Sequence, residues 1–175
     1  MMGRGPRAAL AAPFFGATGL WCTAAQAQDE QPAWLLVGDS TLAPDTGYGD
    51  ALCARMAADQ ACLNMARGGR STSSYRAEGS WDRVLARLRS SALRGRHHVL
   101  IQFGHNDQPG KPGRSTDLAT EFPANLARYV AEVREAGATP VLLTPLTRRS
   151  FKGGELQQDL AAWAEAVRRV AREQK

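Results

Sequence analysis

The chain has 175 residues, of which 43% are hydrophobic and 22% are charged, and its formal net charge is +5. This length suits one domain with its own core and excludes two, and the composition excludes a disordered or fibrous protein. The positive charge does not indicate nucleic-acid binding, because residues 1–27 hold two Arg and no acid, so that their removal leaves +3.

The first predicted element is an export signal over residues 1–27. Arg4 and Arg7 precede a mostly apolar stretch at residues 8–22, and small residues follow up to Ala27, which closes an A-x-A cleavage pattern. The apolar stretch is too short to span a bilayer. We therefore expect cleavage after Ala27, a domain over residues 28–175 in a secreted or periplasmic location, and no membrane attachment. An internal start or a retained anchor is the alternative.

Strand and helix patterns then alternate along the chain. Short apolar runs predict buried strands at residues 33–37, 61–66, 98–103 and 139–144. Apolar residues at helical spacing predict helices at residues 48–58, 81–92, 118–136 and 156–173. Helices that alternate with continuous apolar strands indicate a parallel sheet covered on both faces. The predicted fold class is therefore α/β, a three-layer α/β/α arrangement with a flavodoxin-like sheet.

Two cysteines, Cys53 and Cys62, remain behind the predicted signal. Outside the cytoplasm they fit a disulfide, and two buried thiols on a helix and the next strand fit the sequence equally well. The chain has no C-x-x-C motif and no Cys/His cluster. We therefore predict neither a metal nor a cofactor.

Polar and glycine-rich tetrads follow the first three predicted strands. They are Gly38-Asp39-Ser40-Thr41, Gly68-Gly69-Arg70-Ser71 and Gly104-His105-Asn106-Asp107. In a parallel sheet, ligands bind at the carboxyl ends of the strands. A serine in such a turn presents its hydroxyl and its own N–H, paired glycines let the backbone approach a ligand, and an Asn amide is a rigid donor. Each tetrad alone also fits an ordinary turn or helix cap.

Together, the three tetrads resemble the first three conserved blocks of the SGNH (GDSL) hydrolases. The flanking residues resemble the rhamnogalacturonan acetylesterase-like branch of that family, because the segment 47–49 (GYG) is similar to its Gly-Trp-Gly and Asn64 stands where its N…GRS turn has Asn. The likeness extends from about Trp34 to the end of the sequence.

The resemblance implies a serine esterase that deacetylates carbohydrate esters through an acyl-serine intermediate. Ser40 matches the nucleophile, and the N–H groups of Ser40 and Gly69 with the side-chain amide of Asn106 match the oxyanion hole. Asp39 is expected to hold the turn. His105 stands on the oxyanion side of the pattern, which argues against a role as base, and the pair at 97–98 (HH) lies at the opposite end of its strand.

One departure from the family concerns the general base. The family takes it from a late Asp-x-x-His, and none of the three histidines here stands in that motif. We therefore expect an active esterase represented by a fragment that is inactive or impaired as given, with the fourth strand at an open edge. A glycan-binding homologue without turnover and a site completed by a second chain are alternatives. The partner expected is an acetylated carbohydrate.

A rival from another class is a flavodoxin-like phosphate or nucleotide binder. Such a protein should have a Gly-rich loop that runs directly into a helix N-terminus. Here Pro44 and the segment 47–49 intervene, and neither a Walker A nor a G-x-G-x-x-G motif is present.

Overall fold

The computed structural model describes residues 33–90 and 96–175. The predicted export signal and its cleavage site lie outside these residues, as does the end of the predicted helix at residues 91–92. These three expectations therefore stay predictions.

A four-stranded parallel sheet in the order β2-β1-β3-β4 forms the centre of the fold. Its strands are Ala33–Gly38 (β1), Ala61–Asn64 (β2), His98–Gln102 (β3) and Thr139–Leu143 (β4). The register pairs Gly38 with Gln102 and Leu36 with Asn64. The carboxyl ends of the first three strands therefore meet at one edge of the sheet. This confirms the predicted flavodoxin-like α/β architecture.

Five helices and a small hairpin complete the described chain. The helices are Gly49–Cys53 (α1), Ser74–Ala77 (α2), Ser80–Ser90 (α3), Glu121–Glu135 (α4) and Ala161–Glu173 (α5). The hairpin strands are Phe151–Lys152 (β5) and Glu155–Leu156 (β6). Helix α2 has no counterpart among the predicted elements.

Alternate residues of β1 enter two separate cores. Leu35 and Val37 belong to the larger core, which also contains the apolar faces of α3, α4 and α5. Leu36 belongs to a smaller core with Leu42 and Leu100, against which the partly buried side chains of α1 pack. The sheet is thus covered on both faces, as the continuous apolar strands predict. The largest fully buried side chains are Trp81, Tyr75, Tyr129, Phe103 and Phe122.

The predicted helix at residues 48–58 is shorter in the structure, where α1 ends at Cys53. Beyond that point the N–H of Arg55 donates to the carbonyl of Leu52 (3.0 Å), and that of Met56 donates to Cys53 (3.1 Å). These are bonds across three residues, which tighten the end of a helix into turns. The apolar spacing of Leu52 and Met56 therefore misplaced the boundary.

The start of α4 also differs from the prediction, at Glu121 rather than residue 118. The Asp117 carboxylate accepts hydrogen bonds from the N–H groups of Ala119 (3.0 Å) and Thr120 (2.8 Å), and so holds these residues in a turn. Pro123 then occupies the first turn of the helix, where the missing backbone N–H of proline removes no helical hydrogen bond.

The last predicted helix begins at Ala161 rather than at residue 156. Gly153 and Gly154 have φ angles of 60° and 84°, a pair of left-handed conformations that joins two antiparallel strands. Leu156 therefore pairs with Phe151 in the hairpin. The sequence signal for this hairpin was the Gly-Gly pair between residues 152 and 155.

Cys53 and Cys62 form a disulfide, which decides between the two interpretations that the sequence left open. Their Cα atoms lie 5.3 Å apart, a separation usual for bridged cysteines. The bond fastens the end of α1 to β2 on the face of the smaller core.

No helix within residues 33–90 and 96–175 combines the length and the apolar character that crossing a membrane requires.

Candidate active site

The turn after β1 holds Ser40 between the buried Asp39 and the partly buried Thr41. A side chain at Gly38 would place its Cβ 2.5 Å from the carbonyl oxygen of Gln102, so that only glycine allows the close approach of β1 and β3 here. Asp39 is fully buried, and its Oδ1 accepts hydrogen bonds from the N–H and the hydroxyl of Thr41, both at 2.9 Å. Ser40 itself is exposed. Asp39 thus holds the turn and leaves the serine facing solvent.

The loop after β2 lies against this serine. A Cβ built at Gly68 would be 3.8 Å from the Cβ of Ser40, an ordinary van der Waals contact. Gly69 has a φ of 79°, in the left-handed region that favours glycine. Among the described residues, neither the N–H of Ser40 nor that of Gly69 donates a hydrogen bond. Both donors are available to a ligand.

Asn106, after β3, is fastened to the same loop. Its Nδ2 donates to the carbonyl of Arg70 at 3.0 Å, and the residue is 7% exposed. An amide group has two donor hydrogens, so the bond to Arg70 fixes the side chain and leaves the second hydrogen for a ligand. The structure thus brings Ser40, Gly69 and Asn106, the three residues singled out in the sequence, to one edge of the sheet.

Asp107 connects the loops that follow β2 and β3. Its Oδ1 accepts hydrogen bonds from the N–H (3.0 Å) and hydroxyl (2.5 Å) of Thr72 and from the hydroxyl of Thr116 (3.1 Å). The hydroxyl of Tyr129 in α4 donates to the carbonyl of Thr72 at 2.9 Å. Burial raises the pKa of Asp107 to about 6, against the hydrogen bonds that lower it.

Gln102 is a buried residue of the site region that sequence reasoning missed. Its Oε1 lies 2.9 Å from the hydroxyl of Thr41 and 3.1 Å from that of Tyr48, and its Nε2 donates to the carbonyl of Thr144 at 2.8 Å. It therefore links the turn of Ser40 to the ends of β3 and β4. The signal for it was a single amide within the apolar run of residues 98–103.

The glycines of the segment 47–49 permit close backbone packing. A Cβ at Gly49 would lie 2.1 Å from the carbonyl oxygen of Leu42. Asn64 donates to that same carbonyl at 2.8 Å and to Asp50 at 2.7 Å. The segment and Asn64, which carry part of the family resemblance, therefore act together to support the chain that follows Ser40.

The three histidines occupy different ends of the sheet. His97 Nδ1 accepts a hydrogen bond from the N–H of Ala33 at 3.0 Å, and the ring of His98 stacks on Trp34 with centroids 4.3 Å apart. Both lie at the amino ends of the strands, away from the site. His105 lies at the site, with its Nδ1 3.6 Å from the Oδ2 of Asp39.

Three basic side chains surround the loops that follow β2 and β3, and no sequence pattern indicated their grouping. Arg114 Nη1 donates to the carbonyl of Gly69 at 3.3 Å, and Arg148 Nη2 donates to the carbonyl of His105 at 3.0 Å. Burial, followed by the positive charges of Arg148 and Arg114, lowers the pKa of Lys111. We call Lys111, Arg114 and Arg148 the basic rim.

Within the described part of the chain, no group of three or more His, Cys, Asp or Glu could hold a metal ion.

Comparison with known proteins gives the site its family context. Residues 36–175 match the model of the GDSL-like lipase/acylhydrolase family. The chain belongs to this family. The resemblance seen in the three tetrads is thereby confirmed, and the phosphate-binding rival gains no support.

Two relatives of this GDSL-like chain come from Bacillus subtilis (strain 168). Over 146 residues the chain is 33% identical to "Rhamnogalacturonan acetylesterase RhgT" and 30% identical to "Probable rhamnogalacturonan acetylesterase YesY". Each match covers 79% of this chain, and it covers 60% of RhgT and 65% of YesY. The GDSL-like chain thus spans less than two thirds of the length of these relatives.

Solved structures support the fold. Axe2, an acetylxylan esterase from Geobacillus stearothermophilus, superposes with a TM-score of 0.60 at 19% identity, over 83% of this GDSL-like chain and 74% of Axe2. At this identity the likeness concerns the arrangement of the sheet and helices.

Proposed function

We propose that the protein is a serine esterase that removes acetyl groups from carbohydrate esters, with Ser40 as the nucleophile. The observation that supports this most is that one edge of the sheet carries an exposed serine, two free backbone N–H groups (its own and that of Gly69) and the fixed amide of Asn106. Three donors at the same edge as a serine hydroxyl suit a developing oxyanion. The names of the two Bacillus relatives and of Axe2 suggest the acetyl group and the carbohydrate.

In the proposed reaction, Ser40 Oγ attacks the carbonyl carbon of the ester and forms a tetrahedral intermediate. The new oxyanion accepts hydrogen bonds from the N–H of Ser40, the N–H of Gly69 and the Nδ2 of Asn106. The C–O bond to the sugar then breaks, and the sugar alcohol leaves with a proton. Water attacks the acetyl-serine in the same way, releases acetate and restores the hydroxyl of Ser40.

The proton of Ser40 needs a base, which the proposal assigns to the family's Asp-x-x-His block. The 175 residues do not contain this motif. A serine nucleophile without its base loses roughly a million-fold in kcat. We therefore expect weak or no turnover from these 175 residues alone, and turnover from a version that includes the block.

The basic rim favours an acidic glycan as the substrate. Its guanidinium groups contact the carbonyls of Gly69 and His105, directly beside the proposed oxyanion donors. Asp159 lies 3.4 Å from Arg148 and offsets part of the positive charge, while Lys111 and Arg114 form no ion pair within the described residues. A carboxylate-bearing sugar next to the acetylated one would bind there, which agrees with the word "rhamnogalacturonan" in the names of the Bacillus relatives.

Export is part of the same proposal. The A-x-A pattern before residue 28 and the Cys53–Cys62 disulfide both suit a protein that works outside the cytoplasm, where a polymeric substrate would be met.

The decisive experiment uses a chain extended with an Asp-x-x-His block and p-nitrophenyl acetate as substrate. We expect Ser40→Ala to abolish hydrolysis, with kcat reduced roughly a million-fold. Ser150→Ala, a change at another exposed serine, should leave kcat unchanged. Normal turnover by the Ser40→Ala protein would exclude Ser40 as the nucleophile.

The extended chain also separates the esterase from a glycan-binding homologue without turnover. Binding of acetylated pectin with no release of acetate, even in the extended chain, would support the binding protein. Release from acetylated pectin that falls at least tenfold in Lys111→Ala, with p-nitrophenyl acetate hydrolysis unchanged, would support the acidic substrate.

A further inference from the structure

Asp39 and His105 carry two buried polar atoms that face each other within the site. Asp39 Oδ2 and His105 Nδ1 lie 3.6 Å apart, and neither has a hydrogen-bond partner within residues 33–90 and 96–175. The Asp39 side chain is fully buried, and that of His105 is 13% exposed. A buried carboxylate oxygen without a donor is strongly disfavoured. At 3.6 Å the two atoms lie just beyond hydrogen-bond length, and a hydrogen bond between them would satisfy both.

We propose that His105 is a positioning residue, whose Nδ1–H donates to Asp39 and thereby fixes Ser40 relative to Asn106. Asp39 directly precedes Ser40, and His105 directly precedes Asn106. One hydrogen bond between the two preceding residues therefore sets the separation of the two backbones that carry the reacting groups.

The contact lies where the sheet no longer holds these backbones together. The last residue pair between β1 and β3 is Gly38 with Gln102, and both strands end there. Beyond it, the link from Thr41 to Gln102 fixes the turn of Ser40, but it does not reach the loop of Asn106. The contact between Asp39 and His105 extends the connection to that loop.

In the part of the chain that the structure describes, the neighbouring groups do not engage Asp39 Oδ2 or His105 Nδ1, so that the two atoms can pair with each other. The N–H of Thr41 donates to the Oδ1 of Asp39, and the single hydroxyl proton of Thr41 is shared between that oxygen and Gln102 Oε1, so that only Oδ2 remains. The carbonyl of His105 accepts from Arg148, which holds the main chain beside the ring. Asp107 and Lys111 are the other charged groups that interact electrostatically with Asp39.

This role differs from that of a general base. The proton stays on His105 Nδ1, and no proton of Ser40 passes through the ring. The importance of the contact rests on the proposed function of Ser40 and Asn106, but its existence is measurable without any turnover.

The first test is the protonation of the ring in the 175-residue chain. Long-range ¹H–¹⁵N NMR correlations of the three histidines distinguish a ring protonated at Nδ1 from one protonated at Nε2. We expect neutral His105 to carry its proton on Nδ1. A neutral ring with an unprotonated Nδ1 would overturn the proposal.

The second test uses a pair of variants. His105→Asn keeps an N–H donor near the position of Nδ1, whereas His105→Leu removes it; His98→Leu, at the opposite end of β3, is the matched control. Hydrogen exchange of the Asn106 side-chain amide should accelerate about tenfold in His105→Leu and less than twofold in the other two. Equal acceleration in His105→Asn and His105→Leu, or none in either, would reject the positioning role.

The two proposals fail separately. If His105→Leu does not fold, the tautomer of the unaltered chain still decides. If the tautomer and the exchange rates are as expected but the extended chain hydrolyses no ester, the proposed function is wrong and the contact stands.

Discussion

The edge of the sheet that carries Ser40 and the segment that follows β4 are built in opposite ways. At the edge, buried polar groups are held by several hydrogen bonds each, as in Gln102 with three partners and Asp107 with two threonines. In the segment after β4, apolar side chains stand in solvent instead. Leu146 is 47% exposed, Phe151 62% and Leu156 39%.

This contrast indicates which part of the protein keeps the proposed site rigid. The three loops are joined by bonds among themselves, to β3 and to α4, because a buried polar group without a partner would cost a few kcal/mol. The hairpin β5–β6 offers no comparable bonds, and the later segment reaches the site region at three points, through Arg148, through the carbonyl of Thr144 and through Asp159. The geometry of the donors should therefore depend on residues before α4 much more than on those after β4.

Among the changes that test this contrast, Asn106→Ala in the extended chain has the largest expected effect. Loss of one preorganised oxyanion donor lowers kcat about 100- to 1,000-fold, or about 3–4 kcal/mol of barrier. Gln108→Ala is the matched control, because this amide of the same loop bonds to Asp159 in the later segment instead. We expect less than a fivefold change in kcat for the control, measured with p-nitrophenyl acetate. Comparable losses in both variants would refute the contrast between the two regions.

Thr72→Val should reduce the stability of the 175-residue chain by about 2 kcal/mol. The change keeps the shape of the side chain but removes the hydroxyl that donates to Asp107 at 2.5 Å. Thr147→Val, at an exposed position after β4, should change the free energy of unfolding by less than about 0.5 kcal/mol. Urea unfolding measures the change in the free energy of unfolding for both variants. Equal changes would show that the buried network around Asp107 adds no more stability than an exposed position does.

Stability should rise as the pH falls from 7 to 5, through Asp107. Because burial raises its pKa in the folded state to about 6, protonation favours folding. The stabilisation is complete below the usual pKa of 3.8 and is lost as the pH rises through the folded value. Between pH 7 and pH 5 the gain is about 1 kcal/mol. In Asp107→Asn, which mimics the protonated acid, this part of the pH dependence should vanish; an unchanged profile would assign it to other groups.

The smallest expected effect is that of Phe151→Ser in the hairpin. The side chain is 62% exposed in the folded protein, so folding buries little of its apolar surface and gains little stability from it. The free energy of unfolding should change by less than about 0.5 kcal/mol in urea titrations. A loss above about 2 kcal/mol, as expected for a buried aromatic residue, would mean that the hairpin is part of the core after all.

The strands were predictable because continuous apolar runs leave little choice of structure. Residues 98–103 form a short apolar run that ends at a glycine, which predicts a buried strand, and the end of that strand placed Asn106 at the same edge as the other two tetrads. Helix boundaries were less predictable, since the turn at Asp117 and the hairpin at Gly153–Gly154 depend on local hydrogen bonds and φ angles that apolar spacing does not report.

Part of the site could not be predicted for a similar reason. Arg148 is far from His105 in the sequence, and only the folded sheet brings it to that carbonyl. The pairing of Cys53 with Cys62 depends on a Cα separation that no spacing rule gives. Ser40, Gly69 and Asn106 were identified because their tetrads resemble a family, whereas Gln102 belongs to no such pattern.

The disulfide has a consequence for the time at which the fold is completed. Cys53 and Cys62 close a short loop on the face of the smaller core, where the five-residue helix α1 packs against the sheet. Under the proposed export, the chain would meet oxidising conditions only after translocation, so the bond would form then rather than during synthesis. The covalent link between α1 and β2 would then form last, and the chain would cross the membrane without it.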